Sequence, residues 1–367
     1  MPRLLLHAGF HKTGTTAIQF FAWKNRKSLL KERTIYPDLG SFSRDTHAHH
    51  DLAHAIAGRG RHLQCSHIPH LVRDWHARAE AVSSMLFISS EAFCRHVDPV
   101  YPDSWLASRR AYLKKVADFL SGFNTSVVIV LRRQDNFVKS IFQEKVMKNN
   151  ASGKNQFASF RERFLREYEQ NSFLKAIKLF EEFFQDVKVL VFEDLIEPPG
   201  LCMNFFQSLG VDTRRMVPVG AMRKSMDPRQ TIIKIFLNRA ITSTRQNKQV
   251  LKWLDTAPAR ELLQSHYGQK KYDLWESFER RQHFLDFFEE ENEMIRSRYF
   301  PEKKQLFPPL QDYMAPPVPR LSERIKADVA LLDRCFENST EFSSFASARP
   351  AISRLKSRIV NFLKKTE

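Results

Sequence analysis

Cysteine is scarce in this chain. The four that occur, Cys65, Cys94, Cys202 and Cys335, stand apart with no C-x-x-C pair and no framework spacing. That excludes a disulfide scaffold and a structural zinc site and fits a reducing compartment. Glycine is sparse as well, with 11 in 367 residues, so two glycines close together stand out as a position where the backbone needs them. No apolar run is long enough to span a bilayer. The first hydrophobic stretch is cut short by Gly9 and His11, before it reaches the roughly 7–15 apolar residues of a secretory signal. The expected location is therefore cytoplasmic, with the first motif close to the mature N-terminus. Internal repeats are absent.

Acidic excess is also lacking. The formal net charge is +17, and 43% of residues are hydrophobic, as in an ordinary folded domain. Residues 320–367 hold ten Lys/Arg and six Asp/Glu, a net of +4, which leaves +13 in residues 1–319. The positive charge is spread through the body, a pattern that suits an anionic ligand or surface. Nucleic acid is not the expected partner. The chain has no recognition-helix, finger or aromatic RNP pattern, and its 31 Phe fall mostly at the helical spacing of core residues.

Four β-branched runs, 3–8, 85–89, 126–131 and 187–192, read as buried parallel strands, with a weaker fifth at 34–36. Helical patterns lie between them at 15–30, 69–83, 108–119, 136–148 and 157–184. This alternation predicts an α/β domain whose mostly parallel sheet of about five strands is flanked by helices. The chain turns helical beyond about residue 200, at 201–209, 228–241, 258–265 and 272–299. The expected organisation is one domain over 1–305 with its helical, acceptor-side part from about 200, a proline-rich linker at 306–320, and a basic helical extension at 321–367. The stripe Ile352, Leu355, Ile359 and Leu363 beside Arg354, Lys356, Arg358, Lys364 and Lys365 packs on the body in one reading. In the other it touches an anionic membrane surface from the cytoplasmic side.

Ligands of parallel sheets gather at the carboxyl ends of the strands, here 9–16, 90–91, 132–133 and 193–194. The first of these is GFHKTGTT, entered from a strand and followed by a helix. Backbone N–H groups and a helix N-terminus cradle phosphate in that arrangement, with hydroxyls from Thr15 and Thr16 and a movable cation at Lys12. It is P-loop-like without being a Walker loop. Thr15 stands where the lysine of Gly-Lys-[Ser/Thr] belongs, and the strand at 126–131 ends in Arg132-Arg133 instead of a metal-binding Asp.

The run from Lys12 through Thr13, Gly14, Thr15 and Thr16 resembles the 5′-phosphosulfate loop of sulfotransferases that use 3′-phosphoadenosine 5′-phosphosulfate. The stretch LRRQDNFVKS strengthens the resemblance. In that family a strand ends in an arginine and a serine follows eight residues later on the next helix, the pair gripping the 3′-phosphate; Arg132 and Ser140 stand at that spacing. HAGFHKTGTTAIQ and LRRQD are most similar to the bacterial, carbohydrate- or lipid-directed branch. The resemblance implies that His11 to Thr16 bind the donor and that Arg223 and Lys224 belong to a basic segment folding over the 3′-phosphate, although the glycines of the cytosolic branch are missing there. It further implies that a glycan or glycolipid hydroxyl accepts the sulfuryl group. The transfer is loose and in-line by analogy with phosphoryl transfer, and sulfate carries less charge than a γ-phosphate, so no metal is required.

An acceptor hydroxyl needs a general base. His49 or His50, from the cluster His47, His49, His50 and His54, ranks first, and Glu91 after the third strand ranks second, since the family uses either residue type. His47, His49 and Asp51 also open a metallo-hydrolase signature, but Leu52 occupies the position where that signature requires histidine. The alternatives to a transferase are thus a metal-dependent hydrolase built on this cluster and a non-enzymatic basic protein that binds nucleic acid or a membrane surface.

Overall fold

The computed structural model describes residues 1–42, 47–98, 104–150, 156–220, 225–238, most of 241–269, 270–310 and 315–318. Five strands form one sheet: β1 (Arg3–His7), β2 (Thr34–Ile35), β3 (Met85–Ser89), β4 (Asn124–Leu131) and β5 (Asp186–Val191). Their order is β2-β3-β1-β4-β5, and every pairing is parallel. β1 is central, with Leu4 opposite Leu86 on one side and Thr125 on the other. β1, β3 and β4 are buried on both faces and read as continuous apolar runs, which is why they were visible in the sequence.

The chain divides into two compact units. The first comprises Met1–Phe137, Leu165–Lys224 and Phe287–Pro309, and the second Val138–Phe164, Ser225–Asp286 and the described residues from Leu310 onward. In the first unit, α1 (Thr15–Lys24), α2 (Arg26–Lys31), α3 (His50–Ile56), α4 (Ile68–Ala81), α5 (Ala92–Arg95) and α6 (Trp105–Phe119) follow in chain order. The core beside α1 joins Leu5, Ile18, Phe21, Phe87, Val128, Phe205 and Phe206. In the second unit, a separate core joins Ile233, Leu237, Val250, Trp253 and Leu254. There Val318 donates to the Asp273 carbonyl and Asp273 to the Pro316 carbonyl, so part of the proline-rich stretch is paired backbone.

Three long helical stretches prove to be broken. The stretch 15–30 stops at buried Asn25, whose amide donates to the Phe21 and Val217 carbonyls at 3.0 Å each and so competes with the helix backbone. The stretch 157–184 breaks where Ser172 caps a new helix, accepting from the Lys175 N–H at 3.1 Å. The stretch 272–299 resolves into Phe278–Asp286 and Glu289–Tyr299, the latter opened by three glutamates that suit a helix N-terminus. Helices at His50–Ile56 and Thr244–Leu254 had no counterpart in the sequence reading. Most of 258–265 and all of 321–367 lie outside the described residues, as do Arg223 and Lys224.

Candidate functional site

The first turn after β1 is built by two residues in left-handed conformation, Lys12 with φ 64° and Gly14 with φ 82°. A Cβ on Gly14 would stand 2.2 Å from Leu201 Cδ2, so both conformation and packing require glycine there. Thr13 is fully buried and donates its hydroxyl to the Phe10 carbonyl at 2.7 Å, closing the loop from inside. Gly14 then starts α1 by accepting from Ala17 and Ile18, leaving the first-turn N–H groups without helical acceptors. A lysine in the left-handed region is unusual for a residue with a side chain, and the structure supplies what holds it. Arg132, at the end of neighbouring β4, donates to the Lys12 carbonyl at 2.8 Å.

Arg132 itself lies over the Phe192 ring, 4.8 Å from its centroid. Burial lowers the affinity of this guanidinium for its proton, while Glu193 and Asp135 oppose that. Arg132 Nε and Thr15 Oγ1 are both buried with no hydrogen-bond partner among the described residues. Each is a donor. Thr15 opens the helix after β1 and Arg132 follows the neighbouring β4; they are two of several buried polar atoms left without a partner among the described residues, and both are donors of the kind an oxyanion satisfies. The glycine-built loop and this pair fit a phosphate-bearing group. Arg133, by contrast, is consumed internally. It grips Asp135 at 2.8 and 3.0 Å and donates to the Pro308 and Pro309 carbonyls at 2.8 and 3.1 Å.

On the other flank of β1, the end of β3 delivers Ser89, Ser90 and Glu91. Glu91 accepts from the Gln19 amide at 3.4 Å, while His50 Nε2 and His11 Nδ1 stand 3.7 and 3.8 Å from its two oxygens. Burial pushes the Glu91 carboxyl up, but His50, the backbone and His11 outweigh it and hold the group below its ordinary value. It is therefore ionised near neutrality and able to accept a proton. Ser90 Oγ accepts from the Ala92 N–H at 3.1 Å and shares a 2.8 Å hydrogen bond with His50 Nδ1, which orients that ring. Beneath the loop, His7 is fully buried, bonded through Nδ1 to Ser89 Oγ at 2.9 Å. Burial drives its pKa down to about 4, against the pull of Glu91.

The histidine cluster separates into different roles. His49 is 1% exposed, accepts from the Ser89 N–H at Nδ1 (3.2 Å), and bonds the Pro37 carbonyl through Nε2 at 2.9 Å. Both of its ring nitrogens are spent on the scaffold, which removes it from the candidate bases and leaves His50 and Glu91. His47 packs against Phe20 and Trp23. The spacing of His47, His49 and Asp51 therefore does not assemble a metal centre, and among the described residues no group of three His, Cys, Asp or Glu does so. Ser140 is buried in the second unit, on the helix Gln134–Met147.

Gln19 was absent from the candidates drawn from sequence, whereas Ser90 stood among the strand-end positions at 90–91 with no role given to it. Gln19 carried a legible signal, a polar residue on the buried face between Ile18 and Phe21. No helix among the described residues is long and apolar enough to cross a membrane. The chain matches no protein-family model and no curated protein, so its functional reading stands on this geometry and on the two sequence motifs.

Proposed function

We propose that this protein is a sulfotransferase that moves a sulfuryl group from 3′-phosphoadenosine 5′-phosphosulfate to a hydroxyl of a glycan or glycolipid. The observation that carries the reading is the pair of orphaned donors, Thr15 Oγ1 and Arg132 Nε, at a glycine-built loop with a carboxylate on its other flank. The phosphosulfate, when bound, supplies an activated sulfuryl group on a phosphate leaving group. Lys12, the loop N–H groups and Thr15 hold that phosphate and meet its growing charge with donors already in place. Arg132 serves twice, fixing the Lys12 backbone and offering its remaining donors to the anion. Glu91 or His50 takes the proton of the acceptor hydroxyl. Ser140 as partner of Arg132, and Arg223 and Lys224 over the 3′-phosphate, rest on the sequence resemblance alone. So does a cytoplasmic location with contact to the inner membrane surface.

Thermal unfolding with adenosine 3′,5′-bisphosphate and no added metal tests the donor site. Ligand at about 100 times its Kd is expected to stabilise the protein by about 2.7 kcal/mol. Lys12→Ala and Arg132→Ala are expected to lose the shift. Absence of any shift in the unaltered protein at millimolar ligand sinks the assignment.

A further inference from the structure

The first unit holds a second cluster of titratable groups that the proposed transfer does not use. His54 follows His50 by four residues on α3, so both rings leave the same helix face, with Cβ atoms about 5–6 Å apart. His54 Nδ1 and His96 Nε2 share a hydrogen bond of 2.8 Å. Two arginines flank the pair. The Arg59 N–H donates to the His54 carbonyl at 2.8 Å, and Arg95 directly precedes His96 at the end of α5. Both arginine side chains are exposed and have no ion-pair partner among the described residues. Arg109, 1% exposed, closes the floor by donating to the His96 and Phe93 carbonyls at 2.6 and 2.5 Å. The Tyr112 ring meets His96 edge-on.

The groups acting on His54 are His50, Asp51, Arg95 and Arg59, and those on His96 are His54, Arg95, Arg59 and Arg109. Asp51 is the one carboxylate among them. Burial first, and then repulsion from these cations, lowers both imidazoles, His96 to about 3. Positive charge is thus gathered on this surface with little compensation, and an anion beside Arg59 and Arg95 would relieve the repulsion. We propose that Arg59, Arg95 and the His54–His96 pair form a second anion subsite, which receives an acidic substituent of the sulfuryl acceptor about one helical turn from His50 and Glu91. This rests on the transferase reading of the Glu91 corner. Docking the substituent lets the imidazole pair take up a proton, so binding tightens as pH falls.

NMR of the histidine side chains in the full chain, titrated with inorganic sulfate, reads the site directly. Repeating the titration with adenosine 3′,5′-bisphosphate present separates it from the loop. The His54 and His96 signals are expected to move towards imidazolium and saturate, more tightly at lower pH, and to respond to galacturonate but not to galactose. The Arg59→Ala/Arg95→Ala pair is expected to bind about tenfold or more weakly. The Arg59→Lys/Arg95→Lys pair keeps most of the response, and both keep the thermal shift with bisphosphate. Unmoved imidazole signals, or an equal response in the alanine pair, overturn the subsite. Response to sulfate without response to galacturonate overturns the acidic-sugar assignment. An intact imidazole response in a protein that ignores the bisphosphate overturns the donor reading and leaves the subsite standing.

Discussion

At the amino end of the sheet, β1, β2 and β3 begin beside a cleft of about 590 Å³ lined by Arg3, Arg33, Thr34, Ser83, Met85 and Gly210. At the carboxyl end, β1, β3 and β4 deliver the glycine loop, Glu91 and Arg132. The two ends differ in the backbone groups that their helices present. α2, α4 and the helix Leu201–Ser208 finish at the cleft, where Arg33, Ser83 and Gly210 take left-handed φ values of 52, 47 and 79° as helix-ending residues. Helix C-termini present carbonyl oxygens, which repel anions, whereas α1 presents N–H groups at the other end. In a parallel α/β unit one polarity runs through every strand and helix. It sorts donors to one edge and acceptors to the other, and the candidate site lies at the donor edge.

The comparison breaks most visibly through Glu91. Glu91→Gln is expected to slow bisphosphate release from the phosphosulfate donor about 10²–10⁴-fold in a turnover assay with mixed glycan acceptors. Its thermal shift with bisphosphate should persist. A rate within threefold of the parent would move the base elsewhere.

Next come two left-handed glycines, one at each end of the sheet. Gly14→Ala meets Leu201 as well as an unfavourable φ, so urea unfolding should show a loss of about 2–4 kcal/mol. Gly210→Ala, with nothing within 4 Å of its added Cβ, should lose only about 1–2 kcal/mol. Equal losses would mean that the two ends are equally constrained.

Acid should attack the carboxyl end. The His7 pKa lies at about 4 in the folded state against an ordinary 6.5, so the unfolded chain binds more protons between these values. The His7 contribution to stability is fully present above about pH 6.5 and is lost as pH falls towards 4, by up to about 3 kcal/mol. His7→Gln should flatten that part of the stability profile, and an unchanged slope would rule out His7 as its source. The smallest effect belongs to the cleft. Glu80→Ala removes an exposed pair with His76 at 3.3 Å and is expected to change stability by less than about 0.5 kcal/mol. It should leave the bisphosphate shift intact; losing the shift would invert the comparison.

What the sequence made legible follows the range of the forces involved. β1, β3 and β4 show because burial on both faces leaves unbroken apolar runs, and the loop shows because a phosphate cradle needs glycine at fixed spacing. The break at Asn25 was hidden because its cause is a bond to Val217, 192 positions away. The roles of His49 and His50 were inseparable for the same reason. Only the approach of Pro37 and Ser89 to one ring and of Ser90 to the other divides two adjacent histidines. Arg132 and Arg133 likewise look alike in the chain, until Asp135 takes one and the Lys12 carbonyl the other.

The central place of β1 also governs the order in which this region forms. β1 pairs with β3 at a separation of 82 residues, as Leu4 with Leu86, and with β4 at a separation of 121, as Leu4 with Thr125. Such distant pairings are slow to close. Arg132 lies 120 positions beyond Lys12, so the loop is braced only once the distant pairing of β1 with β4 has closed.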